Sequence, residues 1–140
     1  MIFFTDENIS SKIAPLLEAF DPTHQIRSYE NYFEEGVPDT TWIGEIAKWS
    51  EKPAVLCGDG RILTNPAELA ALREANLMFV VLGKRWTDLN WPTFAWKIIK
   101  VWPQIVQEVH TTRRPTLFRV TVKNLKVELV RAISELRGRS

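Results

Sequence analysis

The chain begins with MIFFTDEN (residues 1–8), in which four strand-forming residues, 2–5, stop abruptly at Asp6. Short apolar runs that are bounded by polar residues are typical of a buried strand. Apolar residues at helical spacing follow over residues 9–20, although Pro15 should kink that helix or delay its start. The opening therefore predicts a buried strand whose end places two acids, Asp6 and Glu7, at the edge of a sheet.

The alternation of strand and helix continues along the whole chain. Further strands are predicted over residues 24–29, 54–57, 78–82 and 117–122. Further helices are predicted from Asp39 toward Pro53 and over residues 65–76, 91–109 and 125–136. Strands separated by helices in this way favour a parallel sheet that is covered by helices on both faces.

Length and composition are those of one soluble globular domain. The chain has 140 residues, of which 45% are hydrophobic and 25% charged. No uncharged apolar run approaches the ~18 residues that a membrane span needs. The acids at positions 6 and 7 argue against a secretory signal, and a single cysteine, Cys57, excludes an internal disulfide. These features predict a cytoplasmic protein.

The charge is unevenly distributed between two parts of the chain. Residues 1–112 carry 10 basic and 15 acidic side chains, whereas residues 113–140 carry 8 basic and 2 acidic ones. We therefore predict a body over residues 1–112 and a basic strand–helix extension of the same domain over residues 113–140. An acidic body with a basic extension fits metal-binding carboxylates and an anionic partner, and it fits an uneven solvated surface equally well.

Several acids should meet at one edge of the predicted sheet. Asp6 and Glu7 follow the first strand, Asp39 starts the helix after the second, and Asp59 follows the third. Carboxylates that are crowded together hold protons or divalent cations, and oxygen-only ligands favour Mg²⁺ or Mn²⁺. Because the chain has neither a P-loop nor a dinucleotide glycine motif, this pattern favours metal-assisted hydrolysis of a phosphodiester.

Simpler structural roles are open for most of these residues. Asp39 and Asn65 are favourable helix N-caps, and Asp59 between two glycines suits a turn. Glu7 fits a solvent-facing position at a helix start. Asp6 is needed for neither a cap nor a turn, so it is the strongest functional candidate.

Aromatic and basic residues supply candidate contacts to RNA. Trp86 and Trp91 flank a predicted loop, where they could pack in the core or stack on a base. Lys12, Arg61 and the basic extension are candidates for contacts to phosphates.

Four short segments are informative when they are taken together. They are Phe4-Thr5-Asp6-Glu7-Asn8, His24-Gln25-Ile26, Gly36-Val37-Pro38-Asp39 and Leu56-Cys57-Gly58-Asp59. In this order and spacing they resemble the PIN-like domains, which include the VapC-type toxins of type II toxin–antitoxin systems. The nearest match is the subgroup that begins with an Asp-Glu-Asn motif, and the resemblance covers roughly residues 1–110. It implies a three-layer α/β/α fold with a central, mainly parallel sheet, and a Mg²⁺- or Mn²⁺-dependent ribonuclease.

The resemblance also implies roles for individual acids. Asp6 matches the first acid of the family, Asp39 the second acid on a helix, and Asp59 the acid after the later strand. As catalytic and metal-binding residues, they would hold Mg²⁺ or Mn²⁺ against RNA. Many relatives have a further acid at the position of Arg61, so Asn65 or Glu68 could complete the site, or the site could bind only one metal tightly.

The family resemblance also implies partners, and the same residues leave two alternative functions open. Toxins of this kind act on RNA and are inhibited by an antitoxin protein, and exposed aromatic residues also suggest a homodimer; no membrane contact is expected. One alternative is a catalytically weak PIN-like domain that acts by binding protein or RNA. Another is a phospho-acceptor signalling domain with Asp59 as acceptor, which is disfavoured because no hydroxyl residue ends the fourth strand, at Leu82-Gly83-Lys84.

Overall fold

The computed structural model describes residues 1–58, 60 and 64–136. From Ile2 to Val120 strands and helices follow the order that the sequence pattern predicts, with one additional short helix, and two short 3₁₀ turns also lie among the described residues. The strands are β1 (Ile2–Thr5), β2 (Gln25–Ser28), β3 (Ala54–Cys57), β4 (Phe79–Val81), β5 (Thr116–Val120) and β6 (Val127–Ala132). The helices are α1 (Ile13–Phe20), α2 (Asp39–Ile46), α3 (Pro66–Ala75), α4 (Lys84–Thr87) and α5 (Trp91–Thr111).

The strands form one six-stranded sheet in the order β2-β1-β3-β4-β5-β6. The first five strands are parallel, and β6 runs antiparallel to β5. From β1 the chain moves outward in one direction to β2 and then returns to the other side at β3. The strand order therefore reverses between β1 and β3, and crevices at such points are where open α/β sheets bind ligands.

Each face of the sheet has its own apolar core. Neighbouring residues of β1 point to opposite faces, as the pleat requires. Phe3 packs on Trp102 of α5 at a ring-centroid distance of 4.6 Å, whereas Phe4 stacks on Trp42 of α2 at 5.4 Å. Helices α1 and α5 cover the first face and α2 and α3 the second. The predicted three-layer α/β/α arrangement with a mainly parallel sheet is confirmed.

Two helix starts refine the sequence prediction. Helix α1 begins at Ile13 rather than at residue 9, so Pro15 lies in the first turn, where its missing N–H is not needed. Asn65 caps α3 as predicted, because its side-chain oxygen accepts hydrogen bonds from the N–H groups of Ala67 and Glu68.

The predicted helix over residues 125–136 is wrong, because this segment forms β6 and a short 3₁₀ turn. Pairing with β6 satisfies the edge of β5 that the parallel strands leave open. Two β-branched residues, Val127 and Val130, suit a strand. Leu125, with φ of 52°, has a backbone conformation outside the right-handed helical region. The division of the chain at residue 112 stays a prediction.

Candidate metal-binding site at the sheet edge

Asp6 joins the ends of two neighbouring strands. It follows β1 directly, is only 6% exposed, and donates its backbone N–H to the carbonyl of Leu56 in β3 at 3.1 Å. Its side-chain Oδ1 accepts hydrogen bonds from the backbone N–H of Gly58 at 3.0 Å and of Asn8 at 3.2 Å. The orientation of this carboxylate is therefore fixed at the point where the strand order reverses.

Burial dominates the electrostatics of Asp6. Desolvation raises the pKa of this carboxyl to about 7, although the hydrogen bonds from Gly58 and Asn8 oppose the rise. The negative charge of Asp39 raises this pKa further. A carboxylate in this state is costly to keep ionised without a positive charge beside it, and a bound cation would supply that charge.

Asp39 lies close enough to Asp6 to interact with it electrostatically, as the family resemblance implies. The N-cap position of α2 belongs to Pro38, so the interpretation of Asp39 as N-cap is wrong; it is the first residue within the helix. Its Oδ1 accepts a hydrogen bond from the indole Nε1 of Trp42 at 2.7 Å. The buried Trp42 thus fixes the rotamer of this second acid.

A cavity of about 260 Å³ opens beside Asp6. It is rich in oxygen-bearing side chains, and none of its described lining residues is basic. Two of its acids, Glu30 and Glu35, were not predicted, because the segment between β2 and α2 has no regular period in the sequence. The lining residues are Asp6, Glu7, Ile9, Ser11, Ser28, Tyr29, Glu30, Phe33 and Glu35.

Two buried hydroxyl groups at this edge have no hydrogen-bond partner among the described residues. Thr5 and Ser28 are paired across β1 and β2, and their Oγ1 and Oγ atoms are both unsatisfied. Unsatisfied buried polar atoms are uncommon in folded proteins and often mark functional sites. They add neutral oxygen atoms to an edge that already carries carboxylates.

Glu7 fastens the loop that forms the cavity wall. It is exposed as predicted, but it precedes α1 by several residues instead of starting a helix. Its Oε2 accepts a hydrogen bond from the N–H of Gly36 at 2.8 Å, and Gly36 has a φ of 80°, which glycine adopts without strain. Within the same loop, the Tyr29 hydroxyl donates to the carbonyl of Glu34 at 2.8 Å and accepts from the N–H of Val37 at 3.1 Å.

We expect Glu7→Ala to loosen this loop without unfolding the protein. The lost hydrogen bond is exposed, so the free energy of unfolding should fall by only about 0.5–1.5 kcal/mol. Hydrogen exchange at the Gly36 amide should become faster. Glu34→Ala, which removes a neighbouring exposed carboxylate, is the control, and equal protection of Gly36 in both variants would refute the role of Glu7.

The remaining predicted site residues are placed as follows. Asp59 and Arg61 lie outside the described residues. The side-chain oxygen of Asn65 is engaged in capping α3, and Glu68 lies in the first turn of that helix. Within the described part of the chain, no group of three or more His, Cys, Asp or Glu side chains could hold a metal ion. Asp6 and Asp39 are thus an interacting pair, and their roles as ligands stay predictions.

Comparison with known families identifies the fold. A family model described as a PIN like domain matches residues 1–84. The chain belongs to the PIN-like domain family. The matched segment of this PIN-like domain includes β1 to β4 and both Asp6 and Asp39. PIN-like domains are commonly nucleases and typically use divalent metals. No curated protein and no solved structure gave a significant match.

No helix among the described residues of this PIN-like domain is long and apolar enough to cross a membrane.

Proposed function

We propose that this PIN-like domain is a Mg²⁺- or Mn²⁺-dependent endoribonuclease and the toxin of a type II toxin–antitoxin pair. The observation that carries the proposal is Asp6, a buried carboxylate with a pKa of about 7 at the point where the strand order reverses. A residue that costs stability in this way is typical of a functional site.

The donor atoms around Asp6 fit a hard divalent cation. Asp6 and Asp39 interact electrostatically, the adjoining cavity is lined by carboxylates and hydroxyls, and none of its described lining residues competes as a cation. Asp6 and Asp39 would hold the ion together with Asp59, and Glu7, Asn65 and Glu68 are further candidates. When bound, the ion would supply an acidified water and neutralise charge on the phosphate.

The protein's own contribution is to orient and desolvate these groups. Two backbone N–H groups hold one oxygen of Asp6, and Trp42 holds one oxygen of Asp39. Side chains that are fixed before the substrate arrives need no reorganisation during the reaction. Lys12, which is exposed, would contact phosphates of the RNA.

Titration with Mn²⁺ by calorimetry tests the proposal directly. Wild type should bind Mn²⁺ and cleave RNA, and Asp6→Asn should lose both properties. Glu18→Gln, which removes an exposed negative charge from α1, should keep both. Unchanged metal binding and cleavage in Asp6→Asn would refute the assignment of Asp6.

A catalytically weak PIN-like domain is the second candidate. The sequence feature that favours it is Arg61, which stands where many relatives have a further acid. In that case wild type would bind RNA or protein but would not cleave RNA with either metal.

The antitoxin is a separate part of the proposal. A cavity that is lined by four carboxylates suits a basic side chain from an inhibitor protein. A polypeptide with such a residue should inhibit cleavage by wild type and compete with Mn²⁺, and equally tight binding of that polypeptide to wild type and to Asp6→Asn would place the inhibitor elsewhere. Sedimentation of the protein alone would test the proposed homodimer.

A further inference from the structure

Two further depressions are lined by residues that donate hydrogen bonds to Asp6. One of about 600 Å³ is lined by Gly58, Lys84 and Thr87 among others, and one of about 200 Å³ is lined by Ser10, Thr87 and Trp91 among others. They share Asn8 and Thr87, so the two depressions adjoin each other, and together they are called the groove below. Because Asn8 and Gly58 both donate hydrogen bonds to Asp6, this groove begins at the candidate metal ligand.

The groove and the acidic cavity differ in charge. The acidic cavity has four carboxylates in its wall, whereas Asp88 is the only acid among the described residues that line the groove. Lys84 lines the groove, and the Nζ of Lys12 lies 5.8 Å from the centre of the Trp91 ring. Phosphates of a substrate would therefore be favoured in the groove over the acidic cavity.

Trp91 is the only one of the two sequence candidates that can stack on a base. Trp86 is fully buried, and its Nε1 donates to the carbonyl of Val120 at 2.9 Å. Trp91 is partly exposed, lines the groove, and packs parallel to Phe94 with centroids 6.0 Å apart. It is the first residue of α5, and the cap formed by Asn90 on the N–H of Thr93 fixes this helix end.

We propose that, in this groove, the indole of Trp91 stacks on an unpaired base of the RNA and Lys12 binds the adjoining phosphate. The inference rests on the proposed ribonuclease function and names the two side chains that would hold its substrate. A base can reach an aromatic ring only when it is unpaired, which favours a single strand over a duplex. Lys12 has an exposed, flexible stem, so its ammonium can leave the ring for a phosphate when a base takes that place.

The test is RNA binding without cleavage, by fluorescence anisotropy of a labelled single-stranded oligoribonucleotide in EDTA. Stacking of one base contributes about 1–3 kcal/mol, so Trp91→Ala should raise Kd about 5- to 150-fold. Trp91→Phe should retain most of the affinity. Trp96→Ala is the matched control, since Trp96 lies on the same helix, is 52% exposed and has Lys97 over its ring at 5.2 Å.

Abasic oligonucleotides distinguish stacking from a general loss of structure. Removing one base from the RNA should weaken binding to wild type at one position and have no effect there on Trp91→Ala. Lys12→Gln should lower the slope of log K against log salt by about 0.7 for each lost phosphate contact. The proposal would be overturned if Trp91→Ala and Trp96→Ala bound the RNA with equal Kd and if removal of a base weakened binding to Trp91→Ala as much as binding to wild type.

The same measurements separate this proposal from the ribonuclease function. If RNA binding depends on Trp91 but the protein does not cleave RNA in Mn²⁺, the role of the groove is supported and the ribonuclease function is refuted. If the protein cleaves RNA but its RNA affinity does not depend on Trp91, the ribonuclease function is supported and the role of the groove is refuted.

Discussion

Asp6→Asn is expected to raise the free energy of unfolding by about 2–4 kcal/mol at pH 8 in EDTA. Burial raises the pKa of Asp6 from 3.8 to about 7, and a change of this size corresponds to about 4 kcal/mol. Asparagine carries no charge to desolvate, and its Oδ1 can still accept the bonds from Gly58 and Asn8. The replacement should therefore remove a cost that wild type carries at neutral and alkaline pH.

The pH dependence has a definite sign. Between about pH 4 and pH 7 the folded protein binds a proton at Asp6 that the unfolded chain does not, so the stability of wild type falls as pH rises through this range. Below about pH 4 the carboxyl is protonated in both states, and the two proteins should be similarly stable. Urea unfolding at pH 4 and pH 8 measures the difference.

Two controls make the interpretation specific to Asp6. Glu18→Gln should show no comparable gain at pH 8, because Glu18 is exposed. Addition of Mn²⁺ should stabilise wild type and leave Asp6→Asn unchanged, if Asp6 binds the ion. An Asp6→Asn protein that is less stable than wild type at pH 8 would show that the carboxylate is not strained there.

Gly58→Ala should destabilise the protein by about 1–3 kcal/mol, as overpacking in a tight interior does. A Cβ atom at this position would lie 3.0 Å from the Cβ of Asn8, 3.0 Å from the Cγ2 of Thr87 and 3.1 Å from the backbone carbonyl carbon of Asn8. The backbone here cannot yield without moving the N–H that binds Asp6. The pKa of Asp6 should therefore rise further in this variant.

Gly44→Ala is a matched control for which we expect the opposite effect on stability. Gly44 lies inside α2, and a Cβ there would meet nothing within 4 Å. The same substitution should stabilise that helix by up to about 1 kcal/mol. Thermal and urea unfolding of both variants measures the contrast, and a neutral Gly58→Ala would show that the two strand ends are not tightly packed.

Much of the fold can be predicted from the sequence because its signals are local. The buried runs of β1 and β3 are each followed by a polar residue or glycine, and the cap, proline and acid around Asn65 mark the start of α3. The position of Asp6 at the sheet edge follows from the parallel arrangement alone.

Other features depend on tertiary contacts and leave no periodic signal. The segment over residues 125–136 has helical spacing, but pairing with β5 makes part of it a strand. Glu30 and Glu35 enter the acidic cavity because Glu7 and Tyr29 hold their loop in place. Trp86 is buried and Trp91 is partly exposed because of the way α4 and α5 pack. The two tryptophans lie close together in the sequence, and the sequence pattern does not show which of them is buried.

The strand order has a consequence for how far charge acts across this molecule. Four interstrand steps separate β1 from β6, which at about 4.8 Å each is about 19 Å. The Debye length at physiological ionic strength is about 8 Å, so Arg131, the one cation of β6, is screened from Asp6. Neutralising Arg131 on this strand should therefore leave the affinity of the Asp6 edge for metal unchanged. Charge at the β6 end of the sheet then acts independently of charge at the Asp6 edge.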